Sequence, residues 1–167
     1  LVPNTSIFLD AGTTVMSLVR QLPNQHYTIV TSGANIAIEL SQRSRSTVSC
    51  VGGQISSSTL SLSGPQAEAF LATVNIDTAV LAATGYSAGA GFTVGSYTEN
   101  SLKRRVIQKA DKVILLIDRS KLGRTLPFTF ASLSDIDVVI CDAPLPEDFI
   151  QAARAAGTEV LQVQPAK

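Results

Sequence analysis

Apolar runs and amphipathic stretches alternate along this chain from end to end, and the alternation predicts its elements. Seven short runs read as strands: 6–9, 27–31, 47–51, 78–82, 113–118, 138–141 and 159–163. Several, such as Val113-Ile114-Leu115-Leu116-Ile117, are continuously apolar rather than alternating, as expected of strands covered on both faces in a parallel sheet. Between them the period lengthens. Val15, Leu18, Val19 and Leu22 fall at i, i+3, i+4 and i+7, and Ala67, Phe70, Leu71 and Val74 repeat that spacing, so each set forms one apolar stripe on a helix. Further helices are expected from about 33 to 43 and from about 97 to 110. A last one opens near Pro146, which suits a first helical turn, and stops at Gly157. Strand and helix follow each other through short links, with no long linker and no internal repeat. The expected class is α/β: a single domain over 1–167, built on a mainly parallel sheet with helices on both faces.

Two stretches break the rhythm. Residues 52–59, opening with Gly52-Gly53, are too polar for core, and 85–91, opening with Gly85-Tyr86, read as a flexible loop after the fourth strand. Ligands of parallel α/β folds bind where loops leave the carboxyl ends of strands. These two loops and the turn after the first strand can therefore line one edge of the sheet.

Composition narrows the function classes. With 45% hydrophobic and 16% charged residues, the chain of 167 residues is globular with a real core. Its formal net charge is zero, whereas a nucleic-acid module carries a basic excess, so this chain by itself is not expected to bind DNA. No apolar run approaches the roughly 20 residues that span a bilayer, and no secretory signal pattern opens the chain, so a cytoplasmic location is expected. The chain starts at Leu1 with no Met, which leads us to expect a piece of something longer. Cys50 and Cys141 lie in strand-like runs with no C-x-x-C spacing, and the expectation is two buried free thiols in a reducing compartment, with no metal and no cofactor.

The best candidate chemistry is the turn Asp10-Ala11-Gly12-Thr13-Thr14 between the first strand and the first helix. Gly12 lets backbone approach a ligand, Thr13 and Thr14 offer hydroxyls, and the helix start offers free N–H groups and a positive dipole end. That suits a phosphate or carboxylate. An ordinary turn with Asp10 or Thr13 as N-cap accounts for the same residues equally well. The turn is neither a Walker A loop nor a dinucleotide fingerprint. Thr31-Ser32-Gly33 ends the second strand similarly and, alone, reads first as a cap and turn. Glu99 and Lys103 share a helix face with Val106, Ile107 and Ala110, so the pair lies on or beside the inward face. An exposed ion pair would normally sit opposite that stripe; a buried one needs a reason, and a site role is expected. Asp118 ends the fifth strand with Lys121 just beyond, placed either to reach a phosphate or sugar hydroxyl or to form a solvated turn. His26, the sole histidine, precedes the second strand at the opposite end of the sheet, so it is expected at the surface, away from any Ser–His–Asp triad.

Taken in order, these pieces resemble the C-terminal effector domain of DeoR-type transcriptional repressors. The matching segments are Phe8-Leu9-Asp10-Ala11-Gly12-Thr13-Thr14, Ile29-Val30-Thr31-Ser32, Gly52-Gly53, Leu62-Ser63-Gly64-Pro65 and Gly91-Phe92-Thr93. Glu99 with Lys103-Arg104, then Asp118-Arg119-Ser120-Lys121-Leu122-Gly123-Arg124, Ile136-Asp137 and Asp142 complete the series. The resemblance runs from about Ser6 to Val163. It implies the Rossmann-like fold shared by ribose-5-phosphate isomerase, CoA-transferases and glucosamine-6-phosphate deaminase. It further implies a non-catalytic sensor of a phosphorylated sugar or related metabolite, in a repressor of sugar metabolism. Operator DNA would be bound by a helix-turn-helix domain that precedes this chain, and a homo-oligomer is expected, since such proteins commonly read paired half-sites.

Carried over residue by residue, the resemblance puts the phosphate at Asp10, Gly12, Thr13 and Thr14. Thr31, Ser32, Gly52 and Gly53 would form neighbouring walls. Glu99, Lys103, Asp118 and Lys121 would face the sugar or its phosphate, and the sugar would be identified beside Gly85 and Tyr86. The chain departs from the family pattern twice: Thr31-Ser32 stands where Thr-Asn is common, and Gly85-Tyr86-Ser87 where glycine, an aliphatic residue and aspartate are common. The alternative is a sugar-phosphate isomerase or deaminase of the same fold, with Glu99 as general base. The lack of a site histidine and of the acid after Gly85 stands against it.

Overall fold

A computed structural model describes residues 1–43 and 45–163. In chain order the elements are β1 (Ser6–Leu9), α1 (Thr13–Gln21), β2 (Thr28–Thr31), α2 (Ala34–Arg43), β3 (Thr47–Cys50), β4 (Gln54–Ile55), β5 (Leu62–Ser63) and α3 (Pro65–Ala72). There follow β6 (Ile76–Ala82), β7 (Gly85–Ser87), β8 (Gly91–Val94), α4 (Tyr97–Lys109), β9 (Ala110–Ile117), β10 (Phe128–Ala131), β11 (Val138–Cys141), α5 (Glu147–Ala156) and β12 (Glu159–Gln162).

The seven runs read as strands form one sheet, ordered β12-β11-β9-β6-β1-β2-β3, and every neighbouring pair is parallel. Side chains alternate across it, as the pleat requires. Ile7 and Leu9 of β1 pack with Val15 and Val19 of α1 and with Ile36 and Leu40 of α2 on one face. Phe8 points the other way, into a larger core that includes Leu71 of α3, Leu102 and Val106 of α4, and Phe149 of α5. Helices thus cover both faces, as the continuous apolar runs predict. No helix among the described residues is long and apolar enough to cross a membrane.

The helices also follow their sequence signals. Val15 and Val19, on the predicted stripe, are fully buried. Ser96 caps α4, its Oγ accepting from the Glu99 N–H at 3.5 Å. α5 follows Pro146 and stops at Gly157, whose φ of 81° is the left-handed conformation that ends a helix.

Three expectations are corrected. Residues 85–91 are not a flexible loop: β7 and β8 pair antiparallel, β10 adds to β8, and the three form a second sheet. Gly85 is there for close packing, since a Cβ on it would lie 2.6 Å from both the Arg124 carbonyl oxygen and Leu126 Cδ1. Tyr86 is core, with 7% of its surface exposed and its ring centroid 4.8 Å from those of both Phe92 and Phe149. Cys50 is exposed rather than buried, because β3 is the sheet edge and one side of it has no neighbour; Cys141 is buried on β11. The polar stretch after β3 is shaped too: β4 and β5 form a small antiparallel hairpin. His26 is exposed at the amino end of β2, its Nδ1 3.2 Å from the Arg45 carbonyl oxygen.

Candidate functional site

At the carboxyl end of β1 the chain passes through Asp10 and turns at Gly12, the N-cap of α1. Gly12 has φ 114°, a conformation side chains resist, so glycine is needed here for the backbone itself. No side chain caps α1, and its first turn carries no acid. The N-cap reading of Asp10 or Thr13 is therefore not what the fold uses. The first N–H groups of α1 and the positive end of its dipole are left facing outward with Thr13 and Thr14.

Asp10 lies behind this turn and is 1% exposed. Its carboxylate accepts from the Ala11 and Ala82 N–H groups, each at 2.9 Å, and from Ser32 Oγ at 3.3 Å. It also pairs with the Lys103 ammonium, itself 2% exposed. Lys103 in turn donates to the Ala82 carbonyl at 2.9 Å, stands 3.4 Å from Glu99, and lies over the Phe130 ring at 5.4 Å. Burial pushes the Lys103 pKa down, but Asp10 and then Glu99 outweigh it and hold the group above the ordinary lysine value. The Asp10–Lys103 pair is thus a charged strut that ties the ends of β1 and β6 to α4. Its desolvation is offset by a full set of hydrogen bonds.

In front of the strut is a cavity of about 170 Å³. Gly12, Thr13, Thr14, Glu99, Lys103, Asp118 and Lys121 line it, so seven residues singled out from sequence come together here. Lys121 stands 3.9 Å from Asp118 and keeps 30% of its side chain exposed, so its ammonium is available to an incoming anion. Asp118 also accepts from the Ser120 N–H at 2.9 Å, which holds the turn after β9 in place.

The other candidates stand elsewhere. Thr31 is fully buried and committed to backbone: its Oγ1 donates to the Leu9 carbonyl at 2.7 Å and accepts from the Gly33 N–H at 3.0 Å. Ser32 holds Asp10, and neither lines the cavity. Gly52 and Gly53 also lie outside its lining; a Cβ on Gly53 would sit 2.4 Å from the Ser63 carbonyl oxygen, so this glycine serves the approach of the β3–β4 link to β5. Gly85 and Tyr86 belong to the packing of the second sheet.

Ala11, Ala82 and Ala83 also line it, with Ser61 and Thr84, which sequence reasoning missed, and Thr59, which it named only as the end of the 52–59 stretch. The run of hydroxyl residues from Ser56 to Ser63 was the available signal. A second, larger cavity of about 360 Å³ adjoins the first beneath the β4–β5 hairpin and shares Thr59, Ser61, Thr84 and Glu99 as a common wall. Among the described residues no group of three or more His, Cys, Asp or Glu is placed to hold a metal ion.

Comparison with known proteins shows the family of this chain. The family model described as "DeoR C terminal sensor domain" matches residues 1–143. HTH-type transcriptional regulator GlpR of Haloferax volcanii is 36% identical over 156 residues, which is 93% of this chain and 61% of that protein. HTH-type transcriptional repressor GlcR of Bacillus subtilis is 31% identical over 155 residues, 93% of this chain and 60% of that protein. The chain thus spans about three-fifths of the length of these relatives. Among solved structures, ribose 5-phosphate isomerase A of Methanocaldococcus jannaschii matches with a TM-score of 0.52 and 16% identity, over 75% of this chain and 50% of that one. At that identity the likeness is one of fold.

Proposed function

Since the chain belongs to the family of DeoR C-terminal sensor domains, we propose that it senses a phosphorylated sugar or a related metabolite on behalf of a transcriptional regulator. The observation that carries this reading is the uncapped start of α1, fixed by Gly12, opening into the same cavity as Thr13, Thr14 and Lys121. An anion there gains backbone donors, hydroxyls, a helix dipole and one ammonium, while the buried Asp10–Lys103 strut keeps the donors in register. Asp10 acts from behind the turn, and Glu99 and Asp118 accept from hydroxyls of the sugar.

We take the described fold as one sensing unit, with operator DNA read by a separate domain of the whole regulator. The zero net charge of this chain supports that division. A ligand that binds two arrangements of the regulator unequally shifts its population between DNA-competent and released forms. Assembly as a homo-oligomer in the cytoplasm fits the same scheme. We read the site as binding without turnover, and the relatives, named as transcriptional regulators, support this.

Thermal unfolding of this chain against a panel of sugar phosphates and inorganic phosphate tests the reading. A ligand at 100 times its Kd stabilises by about 2.7 kcal/mol, which is readily seen as a rise in Tm. Indifference to every phosphorylated compound and to inorganic phosphate would refute it.

A further inference from the structure

We infer that the cavity beneath the β4–β5 hairpin holds the far, unphosphorylated end of the ligand, so that the site selects an extended polyhydroxyl phosphomonoester and rejects a bisphosphate. The inference rests on the phosphate reading of the α1 turn and goes beyond it to what lies next to the phosphate. The turn cavity, about 170 Å³, is less than half the size of its neighbour at about 360 Å³. A phosphate held at Gly12–Thr14 therefore leaves the bulk of its ester to extend past the shared wall of Thr59, Ser61, Thr84 and Glu99.

The chemistry of the larger cavity is specific. Ser56, Ser58, Thr59, Ser61, Ser63 and Thr98 supply hydroxyls, each able to donate once and accept twice. They are partly committed to one another: Ser56 to Ser58 at 3.1 Å, and Ser63 to Thr98 at 3.1 Å. Thr98 is also 3.0 Å from Ser96, and a hydroxyl engaged once or twice keeps capacity for a ligand group. Ser61 goes further. The residue lines both cavities and is 4% exposed, and among the described residues its Oγ has no partner. A buried hydroxyl left unpaired is costly, and a ligand hydroxyl at this point would satisfy it.

Charge excludes a second phosphate. Among the described residues Glu99 is the sole charged side chain lining this cavity, with neither lysine nor arginine beside it. A terminal phosphate placed here would lose its water, meet a carboxylate and find no cation. Ile55 and Leu126 supply the apolar wall that the C–H face of a carbon chain needs.

Calorimetric titration of this chain with inorganic phosphate and a ladder of alditol phosphates tests the inference: glycerol 3-phosphate, erythritol 4-phosphate, ribitol 5-phosphate, glucitol 6-phosphate and glucitol 1,6-bisphosphate. The better of the five- and six-carbon monophosphates should bind about tenfold or more tighter than glycerol 3-phosphate, and the bisphosphate about tenfold or more weaker than glucitol 6-phosphate. Ser61→Ala should bring the long-over-short ratio to within about threefold; Ser58→Ala, at an exposed position that lines only the larger cavity, should lower the same ratio without touching the fold. If phosphate and glycerol 3-phosphate bind but affinity does not grow with chain length, or the bisphosphate binds as well, or both variants keep the ratio, this inference is wrong and the phosphate reading stands. If no phosphorylated probe binds at all, the phosphate reading fails and takes this one with it.

Discussion

Lys103→Met keeps the length and the apolar stem of the side chain and deletes its charge. The stem is packed, so methionine fills the same space, and what is lost is electrostatic. Glu99 has 22% of its side chain exposed and can turn to water at little cost. Asp10 cannot: with 2% of its side chain exposed, it is left as a buried carboxylate without a cation. Removing one partner of a buried pair costs about 3–5 kcal/mol. Asp10 keeps its hydrogen bonds from Ala11, Ala82 and Ser32, which places the loss near the lower end, about 3 kcal/mol. The Ala82 carbonyl, which also loses its donor, adds up to about 1 kcal/mol.

The sum is a large part of a typical domain stability of about 5–15 kcal/mol. In urea, with a slope near 2 kcal/mol/M, the midpoint should fall by about 1.5–2 M at unchanged slope. Two further arms identify the cause. Asp10→Asn combined with Lys103→Met should recover part of the loss, giving a coupling of about 1.5 kcal/mol or more. Asp10→Asn alone should cost less than Lys103→Met, because Glu99 still faces the ammonium it leaves behind. A midpoint within about 0.3 M of the parent at pH 7 would refute the strut.

Four more outcomes are expected. In the parent, the Lys103 pKa lies above its ordinary value of 10.5, so the contribution of the pair is complete below that pH and is lost as pH rises past it; alkaline unfolding should separate parent from Lys103→Met, and parallel curves above pH 10.5 would contradict this. Gly12→Ala meets open space but a φ of 114°, so it should lose about 1–2 kcal/mol through backbone strain and weaken phosphate binding, read by urea unfolding and calorimetry. Lys121→Ala, at a part-exposed ion pair, should leave the urea midpoint within about 0.5 kcal/mol of the parent and lower phosphate affinity about tenfold, whereas an unchanged Kd would remove Lys121 from the site. Tyr86→Phe should leave every ligand affinity unchanged, since the ring packs on Phe92 and Phe149; a change in Kd would return Tyr86 to the ligand.

The large sheet was legible because several of its buried parallel strands are written as unbroken apolar runs, and all seven runs read as strands belong to it. The second sheet was not. β7 has three residues and starts on a glycine, and glycine in a short polar stretch reads as freedom when here a Cβ would lie 2.6 Å from the Arg124 carbonyl oxygen. Phe128-Thr129-Phe130-Ala131 does alternate, and that signal was present but unused. At the site, residue types and spacing brought Gly12–Thr14, Glu99, Lys103, Asp118 and Lys121 together. They could not say on which side of a turn a side chain falls. Asp10 reads in sequence as a ligand contact, whereas in the fold its carboxylate is buried behind the turn and bonded to Ala11, Ala82 and Lys103. Thr31 looked like a wall, yet its hydroxyl is consumed by its own strand ends. Thr59 and Ser61 were not expected in the lining because only the antiparallel pairing of β4 with β5 carries that loop over the cavity.

The strut also sets when this site can come into being. Asp10 and Lys103 are 93 residues apart in the chain, and Lys121 lies further still. The strut and the pairing of β1 with β6 both join segments far apart in the chain, a topology that folds slowly. During synthesis at about 5–20 residues per second, roughly 6–20 s pass between the appearance of Asp10 and that of Lys121. Through that interval a growing chain has no strut to hold the turn in register and, on the function proposed above, nothing with which to detect an effector. On the same proposal responsiveness belongs only to the finished fold, and a bound ligand would fasten the first third of the chain to the rest.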